Sequence, residues 1–333
     1  MTLPSLIVHA DWSSHPAKRW MSEAYLDRSG KYVACAPRTV GPIGEFLPSL
    51  SRRVGEEGCA LVGFDFPIGL PIRYASLCGI VDFLEWLPRA GKAEWSEFFL
   101  PAETSNQINL YRPFYPKRPG GACQMHLLQG LGVHSVDQLR RICELPHPGR
   151  RAAAPLFWTL GAQQVGKAAI TGWREVLQPA ICGSVVSDSV GYAIWPFSGQ
   201  LSDLLSPGRV VLVETYPAEF YSPLGVNFSV CHLPKIDGPI HQRDGKRSQA
   251  ARKRNVYKLL EQAEHTDIVC DPMLVAQLEE GFEASPSGED AFDAVIGLLG
   301  MLQVILGKLP LFEPLDPHLR SVEGWIFGQG AVD

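Results

Sequence analysis

The sequence predicts an α/β fold in which a mixed β-sheet is flanked by helices. Three observations support this prediction. Short apolar runs over residues 5–64 have the order β-β-β-α-β, several strand-like runs end in acidic residues, and a long apolar helical pattern lies near the end of the chain. The 333 residues have a mean hydropathy near zero, so the chain can bury a large core.

The first strand is predicted over residues 5–10. Two more strands are predicted over residues 19–26 and 31–36, after short turns that favour an antiparallel arrangement. Further along the chain we predict a helix over residues 44–53, strands over residues 60–64 and 209–213, a basic helix over residues 246–262 and an apolar helix over residues 286–306.

The middle of the chain has a different composition. Proline, glycine and aromatic residues are dense there, as in the segment YRPFYPKRPGG. We predict a mainly helical insertion over residues 72–207, with helical pieces at residues 80–86, 136–143 and 164–177. Residues 1–71 and 208–333 then form the core of the fold.

Acidic residues mark the ends of the apolar strand-like runs. Asp11 ends the run LIVHAD, Asp65 follows LVGF and Glu214 follows RVVLV. A carboxylate at a buried strand end loses hydration energy unless a cation compensates its charge. Several carboxylates that meet at one place also repel one another. The sequence therefore predicts a divalent-metal site.

Two further carboxylates lie at the start of the last helix. Asp290 and Asp293 are three residues apart and share one helix face, which continues through Gly297 and Gly300. Glycines on this face would let the helix approach a sheet closely. We therefore expect the two acids to lie near the strand that carries Asp11.

Carboxylate oxygens suit Mg²⁺ or Mn²⁺, and two such ions can cleave a phosphodiester. In this hypothesis Asp11 bridges both ions, Asp65 or Glu214 holds one, and Asp293 with Asp290 holds the other. All of these acids except Asp293, which lies too deep in the helix for a cap, also have a simpler interpretation. Asp11 fits the end of a strand. Asp65 fits a turn, Glu214 fits a buried ion pair with an arginine, and Asp290 fits a capping box with Ser287.

These segments resemble a bacterial family of predicted RNase H-like nucleases within the RNase H-like superfamily. The similar elements are HAD, FDFPIGLP, ETYP and EDAFDA. The two acids of the last helix are also similar to those of the RuvC Holliday-junction resolvase. The resemblance covers residues 1–71 and 208–308. It implies a five-stranded RNase H-like sheet and metal-dependent nuclease chemistry, with Asp11, Asp65, Glu214, Asp290 and Asp293 as metal ligands and catalytic residues.

Several basic residues are candidates for binding DNA or RNA. Arg112, Lys117 and Arg118 lie among aromatic residues, a composition that suits phosphate contact and base stacking. Lys246 and Arg247 begin the densest basic run of the chain. Lys167 follows an incomplete phosphate-loop pattern. Ordinary solvent-exposed loops and helices are the alternative for each. The net charge of −5 excludes a uniformly basic protein.

The cysteines and the first residues of the chain indicate the cellular compartment. The eight cysteines have no CxxC spacing, and the first residues lack the pattern of an export signal. We therefore expect buried thiols in a cytoplasmic protein without a membrane span. A homodimer or another protein partner stays open.

Two other functions stay open beside the nuclease. One is an actin-like or sugar-kinase-like phosphotransferase, although the chain has no glycine-rich phosphate turn of that kind. The other is a non-catalytic binding module that retains the acids.

Overall fold

A computed structural model describes residues 2–147, 150–161, 164–183, 191–228 and 245–331. Within these residues eight strands form one sheet. The strands are β1 Leu6–Asp11, β2 Trp20–Leu26, β3 Tyr32–Ala34, β4 Arg38–Thr39, β5 Cys59–Phe64, β6 Gly191–Ile194, β7 Arg209–Glu214 and β8 Ile268–Cys270. No helix in the described part of the chain has the length and apolar character needed to cross a lipid bilayer.

Helices cover both faces of the sheet. The α-helices are α1 Ile43–Val54, α2 Ile72–Cys78, α3 Phe83–Trp86, α4 Gln124–Leu131, α5 Val165–Gly172, α6 Gln178–Gly183, α7 Leu201–Leu204, α8 Pro217–Tyr221, α9 Gln249–His265, α10 Pro272–Glu280 and α11 Pro286–Ile305. Short 3₁₀ helices span Pro16–Lys18, Leu87–Arg89, Ala93–Trp95, Ser105–Gln107, Val136–Leu139 and Ile142–Glu144, and π-helical turns span Trp173–Leu177 and Leu319–Glu323.

The strand order is β6-β7-β5-β1-β2-β3-β8, and β4 pairs with β2. Strands β1, β5, β7 and β6 are mutually parallel neighbours, whereas β2 is antiparallel to β1, β3 and β4. The predicted mixed α/β architecture is confirmed, but the expected count of five strands is wrong. Strands β4, β6 and β8 have only two to four residues, which is too short to produce a legible alternation in the sequence.

Side-chain alternation gives the sheet two separate apolar cores. On one face Val8, Val62 and Leu212 pack against α1 and the residues of the middle segment. On the other face Ile7 and Val211 pack against α8, α9 and α11. Because successive residues of a strand point to opposite faces, odd-numbered residues of β1, β5 and β7 face α11 and even-numbered residues face away from it.

The segment 72–207 contributes to the main sheet and to its core. It supplies strand β6, which pairs in parallel with β7. Its buried aromatic residues Phe83, Trp86 and Trp173 belong to the same apolar core as the even-numbered strand residues. The helix expected over residues 136–143 is replaced by two short 3₁₀ helices, since the chain turns away after Leu139.

The last helix, α11, lies directly on β1. A Cβ atom added at Gly297 would lie only 2.2 Å from the His9 ring, and one added at Gly300 would lie 2.0 Å from Phe220. The buried His9 ring also shares a 3.2 Å hydrogen bond with the Ala294 carbonyl. Gly297 therefore allows the predicted close approach of α11 to the sheet, whereas Gly300 allows close packing against α8. The approach at Gly297 brings the start of α11 to the end of β1.

The seven described cysteines are free thiols. Cys59 and Cys143 are buried as expected, but Cys123 and Cys182 are exposed. Cys231 lies outside the described residues.

Candidate functional site: a carboxylate cluster at the sheet end

Asp11 and Asp65 lie side by side at the carboxyl ends of two parallel strands. Asp11 is the last residue of β1, and Asp65 follows the last residue of β5. Ala10 pairs with Phe64 in this register, so the next residue of each strand is an aspartate. Both are odd-numbered and face α11. Asp11 is 9% exposed, so the pair lies at the edge of the core.

The two carboxyl groups interact directly. Their strands pair in parallel up to the preceding residues, and the Trp12 N–H donates to Asp65 Oδ1 at 2.5 Å. Burial raises the pKa of Asp65 to about 7, against the hydrogen bond from Trp12. Burial and repulsion from Asp65 and Asp293 hold the pKa of Asp11 well above its usual range. The pair therefore retains a proton unless a cation compensates it.

Helix α11 adds its acids to this pair. Asp293 is 4% exposed, and its Oδ1 accepts a 2.5 Å hydrogen bond from the Tyr221 hydroxyl at the end of α8. Asp290 lies one turn earlier and is partly exposed. Burial and repulsion from Glu289 and Asp293 raise the pKa of Asp290 to about 6. Asp290 and Asp293 both raise the pKa of Asp11, which places the four aspartates in one cluster.

One lysine reaches into the cluster. The Lys246 ammonium donates to Asp293 Oδ2 and lies 3.2 Å from Glu289 Oε1. Although burial acts in the opposite direction, the attraction of Asp293 raises the pKa of Lys246. Lys246 lowers the pKa of Asp11, whereas burial and the charges of Asp65, Asp293 and Asp290 raise it. The aspartate cluster, defined as Asp11, Asp65, Asp290 and Asp293, therefore holds more negative charge than this lysine neutralises.

Glu214 lies on the opposite face of the sheet. It pairs with Phe64 in the strand register, so it is even-numbered and points away from α11. Arg141, which is completely buried, donates to both Glu214 oxygens at 2.5 and 2.6 Å, and the Ile68 N–H donates at 2.6 Å. Burial raises the pKa of Glu214 and Arg141 opposes this rise. The structure thus gives Glu214 the ion-pair role with an arginine and separates it from the aspartate cluster.

The predicted substrate-binding residues fall into two groups. Lys246 contacts the cluster, and Arg247 Nε lies 3.5 Å from the neighbouring Glu289. In the middle segment, Arg112 and Lys117 pair with Glu97 and Glu103. Arg118 is exposed in the same loop, and Lys167 lies on α5. In the described residues Lys246 therefore contacts the aspartate cluster, Arg247 contacts the adjacent Glu289, and the other four lie in the middle segment.

Sequence reasoning missed three residues that organise the two sites. Tyr221 orients Asp293, the N–H of Trp12 holds Asp65, and Arg141 neutralises Glu214. The Trp12 indole donates to the Thr171 hydroxyl of α5 at 3.0 Å, and the Arg19 guanidinium lies 4.1 Å from the Trp12 ring centre. These contacts join distant segments, so a single sequence carries no spacing signal for them.

The cluster has the donor type for a hard divalent cation, because its acids are buried, close and short of positive charge. Its geometry in this structure is not that of an assembled metal site. Within the described residues, no three His, Cys, Asp or Glu side chains form a group arranged to hold a metal ion. Asp293 instead bonds to Lys246 and Tyr221. Metal binding at the cluster would therefore require Lys246 to leave Asp293.

No family model, curated protein or solved structure matches the chain. The interpretation of the cluster therefore depends on its own residues.

Proposed function

We propose that this protein is a divalent-metal-dependent nuclease that hydrolyses phosphodiester bonds of nucleic acid at the aspartate cluster. The observation that carries the proposal is the convergence of Asp11, Asp65 and Asp293 from two strands and a distant helix. Burial, and then repulsion from these acids, raise the pKa of Asp11, so a cation at the cluster would be stabilising. The Glu214 site differs, because the Arg141 guanidinium donates to both oxygens of that carboxylate.

The arrangement of the chain supports an RNase H-like core. The first strands and helix have the order β-β-β-α-β when the two-residue strand β4 is set aside, and the first acid ends the central strand β1. The closing helix α11 packs on β1 and carries the D-x-x-D-A element. Strands β6 and β8 extend this arrangement at the two ends of the sheet.

Asp11, Asp65, Asp293 and Asp290 would hold Mg²⁺ or Mn²⁺. A bound ion of this kind supplies Lewis-acid stabilisation of a phosphate and an activated water. The chain itself supplies orientation: the Trp12 N–H fixes Asp65 and the Tyr221 hydroxyl fixes Asp293. Asp293 is buried, and burial strengthens the attraction of a carboxylate for a cation.

A nuclease assay tests the proposal. Purified protein is incubated with labelled single- and double-stranded DNA and RNA, with Mn²⁺ or with EDTA. We expect cleavage of at least one substrate with Mn²⁺, no cleavage with EDTA, and loss of cleavage in Asp11→Asn. Asp316→Asn is the matched control, because Asp316 is exposed outside the cluster, and it should cleave as the wild type does. Cleavage that survives in both Asp11→Asn and Asp293→Asn would refute the site assignment.

A non-catalytic binding module is the second candidate, and one observation favours it. Lys246 already neutralises part of the cluster, and the described residues contain no assembled metal group. Binding of Mn²⁺ without hydrolysis of any of the four nucleic acids would support the module over the nuclease.

A further inference from the structure

The position of Lys246 at the cluster is fixed by its main chain. The guanidinium of Arg252 donates to the Lys246 carbonyl at 2.6 Å and to the Gly281 and Glu283 carbonyls at 2.9 and 2.6 Å. Arg252 is completely buried on α9, so it ties the Lys246 segment to the loop before α11. Ser248 caps α9 immediately afterwards. The fold therefore presents Lys246 to the cluster from a rigid base.

The side chain of Lys246 is less constrained than its main chain. It is 39% exposed, whereas the Asp293 side chain that it contacts is 6% exposed. Lysine carries a compact charge on a flexible four-carbon stem, so the ammonium can withdraw to solvent without any change in the apolar core. The Arg141 side chain at the other buried acid site has no exposure and no such exit.

The charges around Lys246 indicate a role for the freedom of its side chain. Lys246 contacts Asp293 and Glu289 and also lowers the pKa of Asp11, Asp65 and Asp290. One ammonium therefore acts on the whole aspartate cluster, which is the set of residues that would hold the metal. A divalent cation brings twice this charge to the same carboxylates. The ammonium and the metal would compete for Asp293, because its Oδ2 bonds to the ammonium and its Oδ1 to Tyr221.

We propose that Lys246 is a tethered counter-ion that exchanges with the divalent cation at Asp293. This inference rests on the proposed function. In the metal-free protein the ammonium limits repulsion among the aspartates, and it leaves Asp293 when the metal binds. The exchange weakens the apparent affinity for the metal, because each binding event must break the Lys246 contacts.

Titration of Mn²⁺ by isothermal calorimetry tests the exchange, at one fixed pH and ionic strength. The proteins are the wild type, Lys246→Met and a matched control, Lys31→Met. Lys31 forms a 2.8 Å salt bridge with Asp267 on an exposed surface, so its substitution removes the same charge and a similar contact elsewhere. We expect Lys246→Met to bind Mn²⁺ about tenfold more tightly than the wild type, as expected for loss of one charge-assisted contact. Lys31→Met should bind as the wild type does.

Equal or weaker binding in Lys246→Met than in the wild type would overturn the exchange and leave the nuclease proposal standing. Absence of Mn²⁺ binding in all three proteins would overturn both. Lys246→Gln, which keeps a hydrogen-bond donor without the charge, should also bind more tightly than the wild type. Thermal unfolding of each variant verifies that it is folded before the titration. This readout needs neither a substrate nor catalytic activity.

Discussion

Two buried carboxylate sites lie at the same end of the sheet, on opposite faces. At the Glu214 site, one arginine donates to both carboxylate oxygens, and an additional backbone N–H completes the set. At the aspartate cluster, Asp11 and Asp65 lie at the ends of neighbouring parallel strands, and one partly exposed lysine reaches Asp293. We therefore interpret Glu214 as an acid that stabilises the fold, and the acids of the cluster as residues that the fold does not require for stability.

The neighbours of Glu214 follow the same pattern. Glu144 accepts from the Arg141 guanidinium and N–H, both at 2.9 Å. Glu323 accepts from the N–H groups of Ile72 and Ile142 at 2.8 and 2.9 Å. The Glu323 bonds join the middle segment to the C-terminal part of the chain. We therefore expect substitutions at the Glu214 site to reduce stability, and substitutions in the aspartate cluster to remove function.

The largest expected effect is on catalysis at the cluster. Asp11→Asn or Asp293→Asn should lower the rate of Mn²⁺-dependent cleavage by about 10²-fold or more, because each removes a carboxylate of the proposed metal site. The free energy of unfolding without metal should stay equal or increase for Asp11→Asn, since repulsion is relieved. Cleavage assays and urea denaturation measure the two quantities. A large loss of stability would place Asp11 with Glu214 as a structural acid.

The next effect is on stability at the other site. Arg141→Met should lower the free energy of unfolding by about 3–5 kcal/mol, because it leaves buried glutamates without their cation. Arg53→Met is the matched control. Arg53 also donates to both oxygens of a glutamate, Glu23, but its side chain is 40% exposed, so its loss should cost about 1 kcal/mol or less. Equal losses in urea denaturation would contradict the comparison.

The pH dependence of stability sharpens the comparison further. The pKa of Asp65 is about 7 in the folded protein, against 3.8 for an unperturbed aspartate. The folded state therefore binds more protons than the unfolded state between these values, and metal-free stability should fall as the pH rises through this window. Asp65→Asn should reduce this fall by an amount on the order of 1–4 kcal/mol.

Urea denaturation in EDTA at several pH values between 4 and 8 measures this difference. Asp11, Asp293 and Lys246 also affect the pKa of Asp65, so only the difference between the wild type and Asp65→Asn reports on this residue. Identical pH profiles for the two proteins would show that the pKa of Asp65 is not raised in the folded protein.

The smallest effect concerns the packing that assembles the cluster. Gly297→Ala places a Cβ atom 2.2 Å from the His9 ring and should cost about 1–3 kcal/mol through overpacking. Gly44→Ala is the control, because its helical position has no atom within 4 Å of an added Cβ and should be neutral or slightly stabilising. A neutral Gly297→Ala would contradict the close contact between α11 and β1.

The sequence was sufficient to predict the main strands, α1, α11 and the meeting of Asp11, Asp65 and Asp293. It was not sufficient to place Glu214. The runs before Asp65 and Glu214 look alike, but Glu214 pairs with Phe64 and not with the residue after it. A shift of one residue reverses the face to which a side chain points. Strand register depends on long-range pairing, so it cannot be read from either run alone.

Lys246 shows a different limit. The basic run predicted one continuous helix from residue 246, and all its charges had a similar interpretation. The helix α9 begins at Gln249, and Lys246 lies before it, where Arg252 holds its carbonyl. A cap and one buried arginine separate this lysine from the rest of the run. The composition of a segment gives its charge, but it does not show which residue lies outside the helix.

A crystal structure determined with Mn²⁺, with anomalous scattering to locate the metal, is the most direct test of the central claim. We predict Mn²⁺ bound by the carboxylates of Asp11 and Asp293, and the Lys246 ammonium withdrawn from Asp293. Saturating Mn²⁺ with no metal at these carboxylates would contradict the account.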